Sequence, residues 1–80
     1  MTKVEIEYCV PCGMLPRAQD LQEAILEEFG ERVDRVALVT GDAGVFKVSA
    51  DDELLYDKEE EAFDQDEIVD RVSERVGAPA

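Results

Sequence analysis

Eighty residues, 21 of them Asp or Glu and 8 of them Lys or Arg, give the chain a net charge of −13 at pH 7. A surface of that sign repels nucleic acid and anionic membrane, and no apolar run nears the roughly 18 residues of a spanning helix. A chain of this length is expected to form one domain, residues 1–80, with a marginal core.

The two cysteines, Cys9 and Cys12, are three residues apart. Bridging them closes a loop too short to constrain the unfolded chain much, so they are not staples of the secreted kind. No basic and apolar leader precedes Val4, and a cytosolic, reducing location is the expectation. High net charge disfavours compaction, but the apolar residues are regularly patterned with acids between them, which argues for a folded chain. The acid excess and the use of only three lysines, Lys3, Lys47 and Lys58, fit adaptation to high intracellular salt, where screening removes self-repulsion.

Residues 3–8 alternate strictly. Val4, Ile6 and Tyr8 face one way and Lys3, Glu5 and Glu7 the other, the pattern of a strand with one wet face and no helix over that side. Ala18, Leu21, Ile25 and Phe29 recur at helical spacing and predict a helix ending at Gly30. Pro16 places its start at Leu15 or Pro16, since proline is tolerated in the first turn and not further in. Cys12–Met14 then forms a looser lead-in.

Residues 33–39 are mostly apolar and predict a strand interior to the sheet, parallel to the first through a right-handed crossover. Residues 40–44 are a turn-rich loop. Residues 45–50 predict a third strand with Phe46 and Val48 inward, Asp51-Asp52 a hairpin turn, and residues 53–57 a fourth strand. Residues 58–62 read as an acidic connector. Asp64 and Glu67 have capping-box spacing ahead of a last helix reaching about Val76, with Ile68, Val69, Val72 and Val76 on one face and Gly77 and Pro79 at its end. The order β-α-β-β-β-α, with both helices on one face of a four-stranded mixed sheet, is a two-layer α/β (α+β) domain: the minimal core of the thioredoxin fold.

A Cys-x-x-Cys pair between strand and helix carries a redox mechanism. A thiolate there meets unpaired N–H groups and the positive end of the helix dipole, which lower its pKa. The second thiol can close a disulfide and release a mixed-disulfide partner. By this logic Cys9 is the exposed attacker and Cys12 the deeper resolving thiol. Arg17 adds positive charge while Glu5, Glu7 and a helix delayed by Pro16 oppose it, so only a modest depression of the Cys9 pKa is expected.

Competing readings are weaker. Buried cysteines are often small hydrophobes. Zinc needs four protein ligands, and this chain has two thiols and no histidine. Small Cu(I) carriers place CxxC after a first strand, but their order ends on a strand. The acids from Asp57 to Glu61 lack the spacing and glycine of a Ca²⁺ loop. Gly41 to Gly44 has no Walker lysine. Phe46, Tyr56 and Phe63 read as core. Without histidine there is no Ser/His/Asp set.

The chain resembles the small thioredoxin-like redox proteins related to selenoprotein W, the Rdx group that also includes selenoproteins T and H. The resemblance rests on Val4 to Cys12, Leu15-Pro16-Arg17-Ala18, Val36 to Val39, Gly44-Val45-Phe46-Lys47-Val48, Glu53 to Lys58, Phe63 and the last helix. It implies a thioredoxin-like β-α-β-β-β-α fold and a thiol redox role. In selenoprotein members selenocysteine stands at the position of Cys12, the more nucleophilic atom there. Pro16 and the lack of a proline before Phe46 are departures, and the acid excess resembles members from salt-loving archaea.

The expectation is therefore a cytoplasmic thiol–disulfide redox protein with Cys9 and Cys12 as catalytic residues, no cofactor and no metal. Its partners are protein disulfide clients and a cellular thiol reductant, and it is expected to be a monomer. The alternatives are a non-catalytic module that docks a partner through the CxxC turn, with Met14 and Leu15 as an apolar rim, and a soft-metal carrier of Cu(I) or Zn²⁺.

Overall fold

The first strand is the axis of the sheet. The computed structural model describes residues 2–76. Strand β1 (Thr2–Cys9) leads through helix α1 (Leu15–Phe29) and a 3₁₀ turn (Gly30–Arg32) to strand β2 (Val33–Gly41). Strands β3 (Phe46–Ala50) and β4 (Glu53–Asp57) follow, then helix α2 (Gln65–Val76). The strand order is β2-β1-β3-β4. β1 pairs with β2 in parallel and with β3 antiparallel, and β3 pairs antiparallel with β4. The expected β-α-β-β-β-α order and thioredoxin-like mixed sheet are present.

β2 is an edge strand, not the interior strand its apolar content suggested. The interior positions belong to β1 and β3. β2 is apolar for another reason: a bulge at Asp34 shifts its phase, so that Thr2 pairs with Val33 and Lys3 with Arg35. Val33 and Val36 both reach the core in spite of their odd separation, and Ala37 and Val39 are left on the opposite face.

Val4, Ile6 and Tyr8 of β1 pair with Ala50, Val48 and Phe46 of β3, and these side chains share one buried face. Helix α1 lays Ala18, Leu21, Ile25 and Phe29 on that face, and α2 adds Ile68 and Val72, so both helices cover the same side. Each fully buried aliphatic side chain here contributes about 1.5–3 kcal/mol. Lys3, Glu5, Glu7, Arg35, Lys47 and Ser49 occupy the other face, which no helix covers.

The local signals acted as their chemistry requires. Pro16 sits in the first turn of α1, and the first helical bond runs from Ala18 N–H to the Met14 carbonyl. Gly30 ends the helix at φ 54°. Asp51 and Asp52 have φ of 51° and 70°, the two left-handed residues of a type I′ hairpin. Asp51 also bonds β1, accepting from Lys3 N–H through Oδ1 and donating its own N–H to the Lys3 carbonyl. The Asp64 carboxylate caps α2 by accepting from Glu67 N–H, while the Glu67 side chain pairs with Arg71 in place of the reciprocal half of the box. Gly77 and Pro79 lie outside the described residues. Among the described residues no helix is long and apolar enough to cross a membrane.

Candidate functional site

Cys9 is the last residue of β1 and sits opposite Gly41, the last residue of β2. The chain then turns sharply. Val10 N–H donates to the Gly41 carbonyl at 3.0 Å, fastening the turn to the sheet edge. Gly13 N–H donates back to the Val10 carbonyl at 3.2 Å, closing a four-residue turn with Pro11 and Cys12 at its centre. Proline presets the backbone angle of the second turn position, and Gly13 takes φ 72°, which costs a glycine nothing. Met14 and α1 follow directly.

The turn brings Cys9 and Cys12 together with Cα atoms 5.3 Å apart and their sulfurs bonded. Their surroundings differ sharply. Cys9 is 0% exposed, while Val10, Pro11, Cys12 and Gly13 are all exposed. This reverses the expected assignment of Cys9 as the open thiol and Cys12 as the deep one. The cause is long-range: Cys9 belongs to the central strand, flanked by β2 and β3, whereas Cys12 stands on the turn that projects beyond the sheet.

Gly41 is the residue sequence reasoning missed. A Cβ built on it would stand 2.7 Å from Val45 Cγ1 and 3.0 Å from Glu7 Oε2. A side chain there would meet both Val45, in the segment that follows β2, and Glu7 of β1, so glycine suits the close approach of that segment to β1. Its signal was present as a glycine at the end of an apolar run, but it looked like one more turn residue. Val10 was also missed. It is 50% exposed beside Leu15 at 40%, so the apolar rim around the cysteines runs along the turn itself, with Met14 half-buried against the core.

A second set of residues holds the start of α1. Phe46, Tyr56 and Phe63 form a trio of near-perpendicular rings with centroids 5.5–6.3 Å apart. The Arg17 guanidinium stacks on Phe63 at 4.5 Å, joining the first turn of α1 to the segment before α2. Tyr56 Oη donates to the Glu61 carbonyl, and burial raises its pKa against the opposing pull of Arg17 and Arg71. The Glu61 carboxylate is held below its usual range by its hydrogen bonds from Arg71.

Chemically, this arrangement can exchange a disulfide with a partner approaching the Cys12 side. Among the described residues no group of three or more His, Cys, Asp or Glu is placed to hold a metal ion.

Comparison with known proteins agrees with the geometry. Residues 3–74 match the Rdx family. The fold superimposes on a crystal structure of a Bordetella parapertussis protein with a TM-score of 0.87 and 30% identity, covering 92% of this chain and 96% of the other. It also superimposes on a selenoprotein W-related protein from Vibrio cholerae with a TM-score of 0.90 and 23% identity, covering 95% and 98%. No curated protein matches this chain in sequence.

Proposed function

This chain belongs to the Rdx family, and from that membership we propose that it is a thiol–disulfide redox protein whose Cys9–Cys12 pair cycles between dithiol and disulfide, reducing partner disulfides or sensing oxidant. One observation carries the reading: the two sulfurs are bonded across a turn in which Cys12 is exposed and Cys9 enclosed. An attacking thiol must be reached by its partner, and a resolving thiol need only reach its neighbour. Cys12 is therefore the attacking and Cys9 the resolving residue. The protein works in the cytosol as a monomer, on protein disulfide clients, and a cellular thiol reductant recharges it.

Turnover of a disulfide reporter in the presence of a reductant tests the proposal. Activity is expected to vanish in both Cys9→Ser and Cys12→Ser; unchanged activity in both overturns it.

The exposed rim of Val10 and Leu15 favours one second reading, a binding module that docks a partner at the turn with negligible turnover. Trapping with Cys9→Ser, which leaves the accessible Cys12, separates the two. Many trapped clients indicate a reductase, and one trapped protein without turnover indicates a dedicated partner.

A further inference from the structure

The acidic connector that followed β4 in the sequence had no evident role there. The topology gives it a place. β1 and β2 end at Cys9 and Gly41, β3 begins at Phe46, and β4 ends at Asp57, so all four meet at one end of the sheet. Lys58 N–H donates to the Phe46 carbonyl, and Phe46 pairs with Tyr8, the residue before Cys9. Beyond the connector, Phe63 holds Arg17 of the first turn of α1. The connector is thus bound at the same end of the molecule as the redox turn.

The charges at this end are unequal. Glu7, Asp42, Asp57, Glu59, Glu60 and Glu61 oppose Arg17, Lys47 and Lys58. Glu61 is taken up by Arg71, and Lys47 is the register partner of both Glu7 and Asp57. Arg17 lies on an aromatic face. Glu59 and Glu60 are exposed and form no salt bridge among the described residues.

We propose that the acids of the connector, Glu59 and Glu60 above all, select cationic disulfides for the Cys12 sulfur, so that its partner is a disulfide flanked by basic groups rather than an anionic one such as glutathione disulfide. The inference rests on the exchange chemistry proposed above. In the reduced protein the Cys12 thiolate attacks one sulfur of the partner disulfide. The partner's S–S bond breaks, a mixed disulfide forms at Cys12, and one thiolate leaves. Cys9 then loses its proton and attacks the Cys12 sulfur, closing Cys9–Cys12 and expelling the second thiolate. Two electrons pass from the dithiol to the partner disulfide, and the two protons lost by the protein are matched by the two that the leaving thiolates take up. An encounter that ends at an exposed sulfur on the same end of the molecule as an acidic connector is accelerated for a cation and slowed for an anion, by a factor that salt removes.

The test follows oxidation of the reduced protein by cystamine, a dication, by glutathione disulfide, an anion, and by neutral hydroxyethyl disulfide. Each rate is divided by that of the same disulfide with dithiothreitol, which cancels differences between leaving groups. Circular dichroism sets the lowest salt at which the fold is intact. At that salt the normalised cystamine rate is expected to exceed the glutathione rate about tenfold or more, and in molar KCl the ratio falls towards one. The Glu59→Gln/Glu60→Gln variant lowers the low-salt ratio about threefold. The Glu27→Gln/Glu28→Gln variant removes equal charge from the far end of α1 and changes it much less. A ratio near one at low salt, a ratio insensitive to salt, or an equal fall in the two variants overturns the selection. Failure of all three disulfides, the neutral one included, to oxidise the pair overturns the exchange chemistry itself.

Discussion

Cys9 and Cys12 share one bond and have opposite access to solvent: Cys9 is 0% exposed at the end of the central strand, and Cys12 is exposed on the turn that follows. That asymmetry predicts the order of attack. Reduced Cys9→Ser, with Cys12 remaining, should form a mixed disulfide with a small disulfide reagent at least about tenfold faster than reduced Cys12→Ser. Stopped-flow rates decide it; equal rates, or a faster Cys12→Ser, would reverse the assignment.

Gly41→Ala should destabilise the fold by about 1–3 kcal/mol, because the added methyl meets Val45 Cγ1 at 2.7 Å. Urea unfolding measures the loss. A change within about 0.5 kcal/mol, the range of ordinary surface substitutions, would mean that the segment after β2 does not close on β1 as described.

The β3–β4 hairpin carries an aspartate at φ 70° where glycine is unstrained. Asp52→Gly is expected to stabilise the protein by about 0.4–1 kcal/mol, partly offset by the extra freedom of glycine in the unfolded chain. Asp51 is left in place because it bonds Lys3 of β1. A clear drop in the unfolding midpoint would argue against the type I′ turn.

Arg71 holds the Glu61 carboxyl below its usual range. A depressed carboxylate stabilises the fold above its unfolded pKa and loses that contribution as pH falls through the depressed folded value. Unfolding midpoints of the parent and of Glu61→Gln should therefore differ at neutral pH and converge as pH drops below the ordinary carboxylate range. A gap that stays constant down to strongly acidic pH would remove Arg71 as the cause. Because the pair is exposed, molar salt should also narrow the gap.

With a net charge of −13, the chain should resist urea better in molar KCl than at low salt. The same unfolding midpoint in both media would exclude adaptation to salt as the reason for the acid excess.

Much of this was legible in the residues. The alternation of residues 3–8 reported which side of β1 is wet, and the spacing of Ala18, Leu21, Ile25 and Phe29 reported the buried face of α1. Pro16 located the helix start, and Asp51-Asp52 marked the hairpin. What failed shares one physical cause. The place of β2 at the edge depends on which strands pair, and an apolar run reads the same at the edge as inside once a bulge has changed its phase. The enclosure of Cys9 goes with its place at the end of an interior strand, paired with the end of β2, a segment far along the chain. Local pattern encodes faces and turns; strand order and burial at chain reversals are settled by distant partners.

The bond from Val10 N–H to the Gly41 carbonyl has a kinetic consequence. The β3–β4 hairpin and the turns of α1 are made from near neighbours and can form early. The parallel β1–β2 pairing must first close a loop that contains all of α1, and non-local pairings of that kind form slowly. The reactive turn is fastened to the sheet through that pairing, by the Val10–Gly41 bond. A chain that lacks this pairing therefore holds its two thiols on a loose segment, without the difference in solvent access seen in the folded protein. A difference in reactivity between Cys9 and Cys12 should emerge during refolding only once the parallel strands have paired.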